Sequence, residues 1–362
     1  MQQTDTLPPT IRDYEAIAPA RLPADVAAYY FGGAGDEVTL AANTAAFSDL
    51  ALVPRTLRAL SGGTARTVLL GHELVYPIIV APMAYQQLLH ADGERAMALG
   101  AAAQDAIMTV SAQASTPLAD IVAAGGRPIW FQLYWMGSRE QTFALADYAV
   151  RNGASVLVLT VDAPVQGVRD REMRTGFRLP PGIAAVNLAQ FSQPALRPLA
   201  DGESVLFDRI APLLPGWEDI RWLCSRLSVP VLLKGILHPD DARAARDCGA
   251  AGIVVSNHGG RVLDTAIATL QALPAVVQAV DPGLPVLVDG GIRRGTDVLK
   301  ALALGARAVM VGRPVAAGLA VGGAHGVSHV LRLMRDEFEI AMMLCGCRTV
   351  DDIHPELVQR KL

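Results

Sequence analysis

The run Val254-Val255-Ser256-Asn257-His258-Gly259-Gly260-Arg261 carries an apolar, β-branched segment into an imidazole and a guanidinium three residues apart. Those two groups suit one task, the removal of a proton from a carbon or oxygen beside a carboxylate. The guanidinium can grip the carboxylate with two N–H groups while the imidazole accepts the proton. A base of this kind needs an acidic neighbour to stabilise the imidazolium it becomes, and Asp162, at the end of Thr160-Val161-Asp162, is a candidate. The same aspartate could instead cap the turn before Pro164. Lys234 also ends an apolar run, and two readings stand for it. It could form a Schiff base, as in an aldolase, or it could balance negative charge on a bound cofactor.

These residues need a frame. From about Tyr76 to Val315 the chain repeats one unit, a short β-branched run followed by an Ala-rich helical pattern. The runs are Pro77–Ala81, Ile107–Val110, Ile129–Leu133, Ser155–Val161, Val231–Lys234, Gly252–Val255, Val286–Val288 and Ala308–Val311. Continuously apolar short strands alternating with helices imply a parallel sheet covered by helices, and eight units imply closure into a (β/α)₈ TIM barrel. An open doubly wound sheet would want G-x-G-x-x-G after the first strand, which is absent. The whole chain, 1–362, reads as one domain, with 1–75 as an N-terminal helical cap and 76–350 as the barrel. Residues 163–228 form a long loop or lid after strand four. Helical patterns lie at Ile11–Ala18, Pro23–Phe31 and Val327–Leu344.

Active sites of such barrels open at the C-terminal ends of the strands. Strand one there gives Ala81, Pro82, Met83 and Ala84, and strand two Ser111 and Gln113. Strands three and four end in Gln132-Leu133-Tyr134 and Thr160-Val161-Asp162, strand five in Lys234 and strand six in Ser256 through Arg261. Strands seven and eight end in Asp289-Gly290-Gly291-Ile292-Arg293 and Gly312-Arg313-Pro314. Polar groups gathered at one rim of an apolar chain fit a phosphate held by loops seven and eight, with Arg293 and Arg313 adding charge. Amides and hydroxyls at Ser111, Gln132 and Thr160 beside a lysine suit the edge of a flavin ring.

Bulk properties narrow the alternatives. Hydrophobic residues make up 51% and charged residues 18% of 362, which suits a large core and argues against disorder. A net charge of −4 gives no reason to expect nucleic acid or an anionic membrane as partner. Cys345 and Cys347 are close, but no His or Cys completes a metal site around them, and all four cysteines read as reduced thiols. The polar start MQQTDTLPPT and the lack of any run of about 18 apolar residues point to a cytoplasmic protein without a membrane span.

With these motifs in place, the chain resembles the FMN-dependent L-2-hydroxy-acid oxidases and dehydrogenases, the family of glycolate oxidase, lactate oxidase, mandelate dehydrogenase and hydroxymandelate oxidase. The resemblance spans nearly the whole length. It rests on Tyr29-Tyr30 before Gly32-Gly33-Ala34, on Ala81-Pro82-Met83-Ala84, Phe131-Gln132-Leu133-Tyr134, Thr160-Val161-Asp162 and Lys234-Gly235, on Ser256 to Arg261, and on Asp289 to Gly295 and Gly312-Arg313-Pro314. It implies FMN as cofactor and conversion of a 2-hydroxy acid to a 2-oxo acid. His258 would be the base and Asp162 its partner. Arg169, Arg261, Tyr29 and Tyr134 would bind the substrate. Pro82, Met83, Ala84, Ser111, Gln132, Thr160, Lys234, Ser256, Asp289, Gly290, Gly291, Arg293, Gly312 and Arg313 would hold the cofactor. Arg169 sits in a charged run (Arg169, Asp170, Arg171, Glu172, Arg174) whose members, without the resemblance, read as a solvated surface.

The chain departs from the family pattern at two points. Val262 replaces the usual Gln after the arginine, and Gln113 stands where glycolate oxidase-like members carry Trp. Tyr85 and Trp135 follow hydroxymandelate oxidase-like sequences and point to an aryl or otherwise large substrate side chain. Ala84 is the residue type of oxidases, which implies O₂ as acceptor and H₂O₂ as product. A dehydrogenase serving a quinone or protein carrier, a Lys234 Schiff-base aldolase and a non-catalytic flavin-binding protein remain as alternatives. Family analogy implies a homo-oligomer, a tetramer in many members.

Overall fold

The computed structural model describes residues 7–126, 128–191, 196–280 and 282–361. The eight expected strands are Ile78–Val80 (β1), Met108–Ser111 (β2), Ile129–Tyr134 (β3), Ala154–Thr160 (β4), Val231–Ile236 (β5), Gly252–Val255 (β6), Val286–Asp289 (β7) and Ala308–Val311 (β8). They pair in parallel and close into a barrel in chain order, with β8 against β1. This is the (β/α)₈ TIM barrel expected from the repeat.

Period-two alternation divides each strand between two environments. Val80, Val110, Phe131, Leu133, Leu157, Leu159, Leu233, Val255, Val288 and Val311 face outward into one large core shared with the surrounding helices. Ile79, Ile107, Trp130, Val156, Val158, Leu232, Val254, Leu287, Ala308 and Met310 form a second cluster inside the barrel. Continuing the inward parity toward the C-terminal ends gives Ser111, Gln132, Thr160, Lys234, Ser256 and Asp289, all buried. One alternation therefore fills the barrel with apolar side chains and then crowns it with polar ones.

Residues 7–75 divide between the two ends of the barrel. Helices Ile11–Ile17 (α1), Ala24–Phe31 (α2) and Val38–Ser48 (α3) supply the expected cap, and α2 and α3 reach the loops at the C-terminal ends of the strands. A hairpin, Thr67–Leu69 with His72–Leu74, instead closes the opposite end, where Leu69 and Leu74 join the inner cluster. Leu50–Leu52 pairs with Val358–Arg360, tying the two ends of the chain together. Neither pairing is visible in the sequence pattern, because each strand spans only three residues.

Helices Gly93–Ala102 (α4), Leu118–Gly125 (α5) and Arg139–Arg151 (α6) alternate with β1 to β4. The segment after β4 holds Asp170–Thr175 (α7), which packs on α2, and short 3₁₀ and π turns. It also contains Trp217–Arg226 (α8), which packs on α6 as part of the repeating α/β layer, so the long loop is shorter than 163–228. Pro239–Asp247 (α9), Thr269–Val280 (α10) and Gly295–Ala303 (α11) complete the layer. The last helical run, Arg313 to Leu344 (α12), is two helices joined at a kink, and the expected Val327–Leu344 lies within the second. Gly322 and Gly323 break it with non-helical angles, which hid its first half in the sequence.

Candidate active site

A cavity of about 700 Å³ opens above the polar crown. Every site residue expected from the sequence lines it except Asp162 and Ser256. Ser256 was expected to touch the cofactor. It lies fully buried behind the wall, where its hydroxyl accepts from Lys234 Nζ at 2.9 Å and from the His258 backbone N–H at 3.0 Å. Asp162 stands behind His258.

The crown consists of two hydrogen-bonded chains. Ser111 Oγ donates to Gln132 Oε1 at 3.1 Å, and Gln132 Nε2 donates to Thr160 Oγ1 at 3.0 Å. The register puts Ser111 beside Gln132 and Thr160 beside Lys234. Lys234 Nζ lies 3.0 Å from Asp289 Oδ2. Burial works against its charge, but Asp289 and Asp162 outweigh burial and hold its pKa above the ordinary lysine value. An ammonium so held has no lone pair with which to attack a carbonyl, which argues against the aldolase reading.

The loop after β6 aims the histidine. Asn257 and Asn43 of α3 exchange reciprocal amide hydrogen bonds of 2.8 Å, and Gly260 N–H donates to Asn257 Oδ1 at 3.1 Å. His258 itself adopts a left-handed backbone, φ 58°, a conformation uncommon outside glycine. Its Nδ1 lies 3.0 Å from Asp162 Oδ1, so Nδ1 carries the proton and Nε2 is left as the basic nitrogen. β5 bulges at Gly235 to let Asp162 in: a Cβ there would fall 2.4 Å from Asp162 Cβ. Burial opposes the Asp162 carboxylate, yet the His258 bond and the Lys234 charge keep its pKa below the usual range. Burial also lowers the His258 pKa, with Asp162 opposing and Lys234 reinforcing the shift. The imidazole is therefore a neutral base at neutral pH.

Beside it stand two guanidiniums. Arg261 donates through Nη1 to the carbonyls of Tyr29 and Gly32, and its guanidinium carbon lies 5.2 Å from the Tyr29 ring centre. Arg169 Nε donates to the Arg261 carbonyl at 3.1 Å. The charged run around Arg169 is not a uniformly solvated surface, since Arg169 and Glu172 turn inward into the cavity wall. Glu172 was missed from the sequence. Its i,i+3 spacing to Arg169 was legible, but its burial depends on α2, far away in the chain. Phe177 stacks on Tyr29 at 4.5 Å and 18°. Burial raises the Tyr29 pKa to about 12 and pushes that of Tyr134 upward, so both phenols remain protonated donors.

Arg313, whose Nη2 shares the Gly32 carbonyl with Arg261 Nη1, begins α12, where the helix N-terminus and its dipole favour an anion. Its partly buried guanidinium donates to three backbone carbonyls, those of Tyr30, Gly259 and Gly32, and those three bonds supply no compensating carboxylate. Burial, with Arg261 and Arg293 nearby, lowers its pKa to about 9. This is the electrostatic signature of a site completed by an anion. Arg293 also lines the cavity, with its Nε on Glu15 of α1 at 2.7 Å. Gly290 and Gly291 were expected to admit a phosphate. A Cβ at Gly291 would sit 2.0 Å from the Asn43 carbonyl, so close packing of α3 already requires glycine there.

The cavity fits FMN on its own chemistry. Asp289 Oδ1 is buried without a hydrogen-bond partner, as a ribityl hydroxyl would require of its acceptor. A Cβ on Gly312 would meet nothing closer than 3.8 Å, so a ligand can approach its backbone. Arg313 and the α12 N-terminus suit the phosphate, while Ser111, Gln132, Thr160 and Lys234 suit the ring edge.

Known proteins resemble this chain over nearly its whole length. Residues 18–360 match the family model of the FMN-dependent dehydrogenases. An L-lactate oxidase of Roseobacter sp. (strain GAI101) is 51% identical over 99% of this chain and 96% of its own length. Glycolate oxidase of Spinacia oleracea is 42% identical over 95% and 93%. The crystal structure of mandelate oxidase with benzoyl-formic acid superposes with a TM-score of 0.88 at 40% identity, covering 98% of each chain. A match over nearly the whole length, together with a basic imidazole, paired guanidiniums and an anion site in one barrel mouth, means that this chain belongs to the FMN-dependent dehydrogenase family.

Proposed function

We propose that the chain oxidises an L-2-hydroxy acid to the 2-oxo acid and passes the electrons through FMN to O₂, giving H₂O₂. The observation that carries this reading is the His258–Asp162 pair standing beside Arg261 on one cavity. Arg169 and Arg261 bind the substrate carboxylate, and Tyr29 and Tyr134 donate hydrogen bonds to the carboxylate or the hydroxyl. His258 Nε2 accepts a substrate proton, and Asp162 stabilises the imidazolium that forms. FMN, when bound, would supply the two-electron acceptor. Lys234 would supply a positive charge to the ring edge, and Arg313 and Gly312, with Arg293 alongside, would hold the phosphate.

The substrate's side chain meets a wall that includes Tyr85, Gln113, Trp135, Met136 and Leu188. That wall favours an aryl or otherwise large side chain over the hydrogen of glycolate. Among the described residues no helix is long and apolar enough to cross a membrane. The polar N-terminal sequence favours the cytoplasm, and family analogy favours a homo-oligomer.

The test is anaerobic mixing of the FMN-loaded protein with a panel of L-2-hydroxy acids, followed by admission of air. Bleaching of the flavin absorbance is expected, fastest for aryl or bulky members, with one H₂O₂ formed per turnover. Bleaching without peroxide would make the protein a dehydrogenase serving another acceptor. No bleaching by any member would remove the assignment.

A further inference from the structure

The two guanidiniums assigned to the substrate carboxylate already share an anion. Arg169 Nη1 lies 3.0 Å and Arg261 Nη2 3.2 Å from the same oxygen, Oε1 of Glu172. The three side chains are only 10–15% exposed. Glu172 extends from α7, which packs on α2, and it lines the same cavity as His258. The bonds of the two arginines to the protein run through Nε and Nη1 of Arg169 and through Nη1 and Nη2 of Arg261. Among the described residues no hydrogen bond uses Arg169 Nη2 or Arg261 Nε, which leaves both for an incoming anion.

Two positive charges this close repel each other, and an unscreened pair would bind any anion tightly. A carboxylate between them holds both planes in place and reduces the cluster from two positive charges to one. We propose that Glu172 is a positioning residue that fixes Arg169 and Arg261 and lowers the positive charge of the carboxylate site by one, matching it to a substrate with one carboxylate. Product release follows from the same arrangement, because a site with one fewer positive charge holds the 2-oxo acid less tightly. The inference deepens the proposed function and rests on Arg169 and Arg261 being the carboxylate grip.

The test titrates FMN-loaded wild type and Glu172→Gln with oxalate and with an aryl 2-oxo acid, reading the flavin absorption change. Glutamine keeps an acceptor of the same reach and removes the charge. Both ligands are expected to bind about ten- to hundredfold more tightly, the size of effect given by removing one like charge within roughly 6 Å in a semi-polar site. The dianionic oxalate should gain more, and kcat should fall while anaerobic flavin reduction stays fast, because product leaves slowly. Glu172→Asp keeps the charge on a shorter arm. It should bind both ligands like wild type but reduce its flavin more slowly. Unchanged or weaker binding in Glu172→Gln overturns the inference, as does an aspartate variant with wild-type reduction. Arg261→Lys is the control for the underlying reading. If it binds both anions like wild type, the carboxylate is gripped elsewhere, whatever Glu172 does.

Discussion

The lower and upper halves of the barrel interior are built from the same strands and differ by two residues of travel. Trp130, Val156, Val158, Leu232, Val254 and Leu287 pack against one another below. Gln132, Thr160, Lys234, Ser256 and Asp289 stand directly above them on the same inward parity. Below, each side chain gains by leaving water and needs nothing but neighbours of the right shape. Above, each is buried at a cost that only hydrogen bonds or an opposite charge offset, and some of those partners are missing from the polypeptide. Asp289 Oδ1 has no protein partner, and Arg313 has three carbonyls where a partly buried cation wants an anion. The lower half is complete as a polypeptide, whereas the upper half is completed by what binds there.

The comparison breaks most visibly at the top. His258→Ala should lower anaerobic flavin reduction by about 10²–10⁴-fold, the usual contribution of a positioned base, while FMN content and thermal stability stay near wild type. Stopped-flow absorbance with a saturating substrate checks this, and an unimpaired rate would take His258 out of the chemistry. The bottom should respond in the opposite way. Leu232→Ala should cost about 2–5 kcal/mol of stability, measured by denaturant unfolding, with the reduction rate per bound flavin nearly unchanged. A large loss of rate at full flavin occupancy would show that the two halves are not separable. The smallest effect is in pH. Because burial depresses the His258 pKa, its neutral, basic form persists below pH 6.5, so the reduction rate should rise with pH through a break under that value and then level off. Asp162→Asn removes the interactions that raise the His258 pKa. The break should move lower still, and the plateau should fall because the imidazolium loses its partner. A break that stays in place would uncouple the pair.

The same contrast explains what could be read from the sequence. Short apolar runs separated by helical patterns are local signals, so all eight strands and the barrel followed from them. Since the site is the continuation of those strands, Lys234, Gln132 and His258 were found by asking what ends each run. The strand pairs Leu50–Leu52 with Val358–Arg360 and Thr67–Leu69 with His72–Leu74 were not found, because three residues carry too little alternation. Glu172 looked like one more charge in a solvated run, and the packing of α7 on α2 is what makes it interior. Gly291 looked like a phosphate contact until the Asn43 carbonyl supplied a nearer reason for its missing side chain. Ser256 lies at the strand end as expected, but it is fully buried and does not line the cavity. Local periodicity thus recovers the frame, and long-range packing decides which rim residues face the cavity.

The left-handed backbone of His258 has a bearing on engineering. A residue with a Cβ is held there by the Asn257–Asn43 clamp against its own preference, at a cost of order 1 kcal/mol. Any redesign ranked by thermostability alone will favour glycine at that position, and the hardier variant it selects will have lost its base. Position 258 is where durability and turnover pull in opposite directions, so it should be frozen before the rest of the chain is optimised.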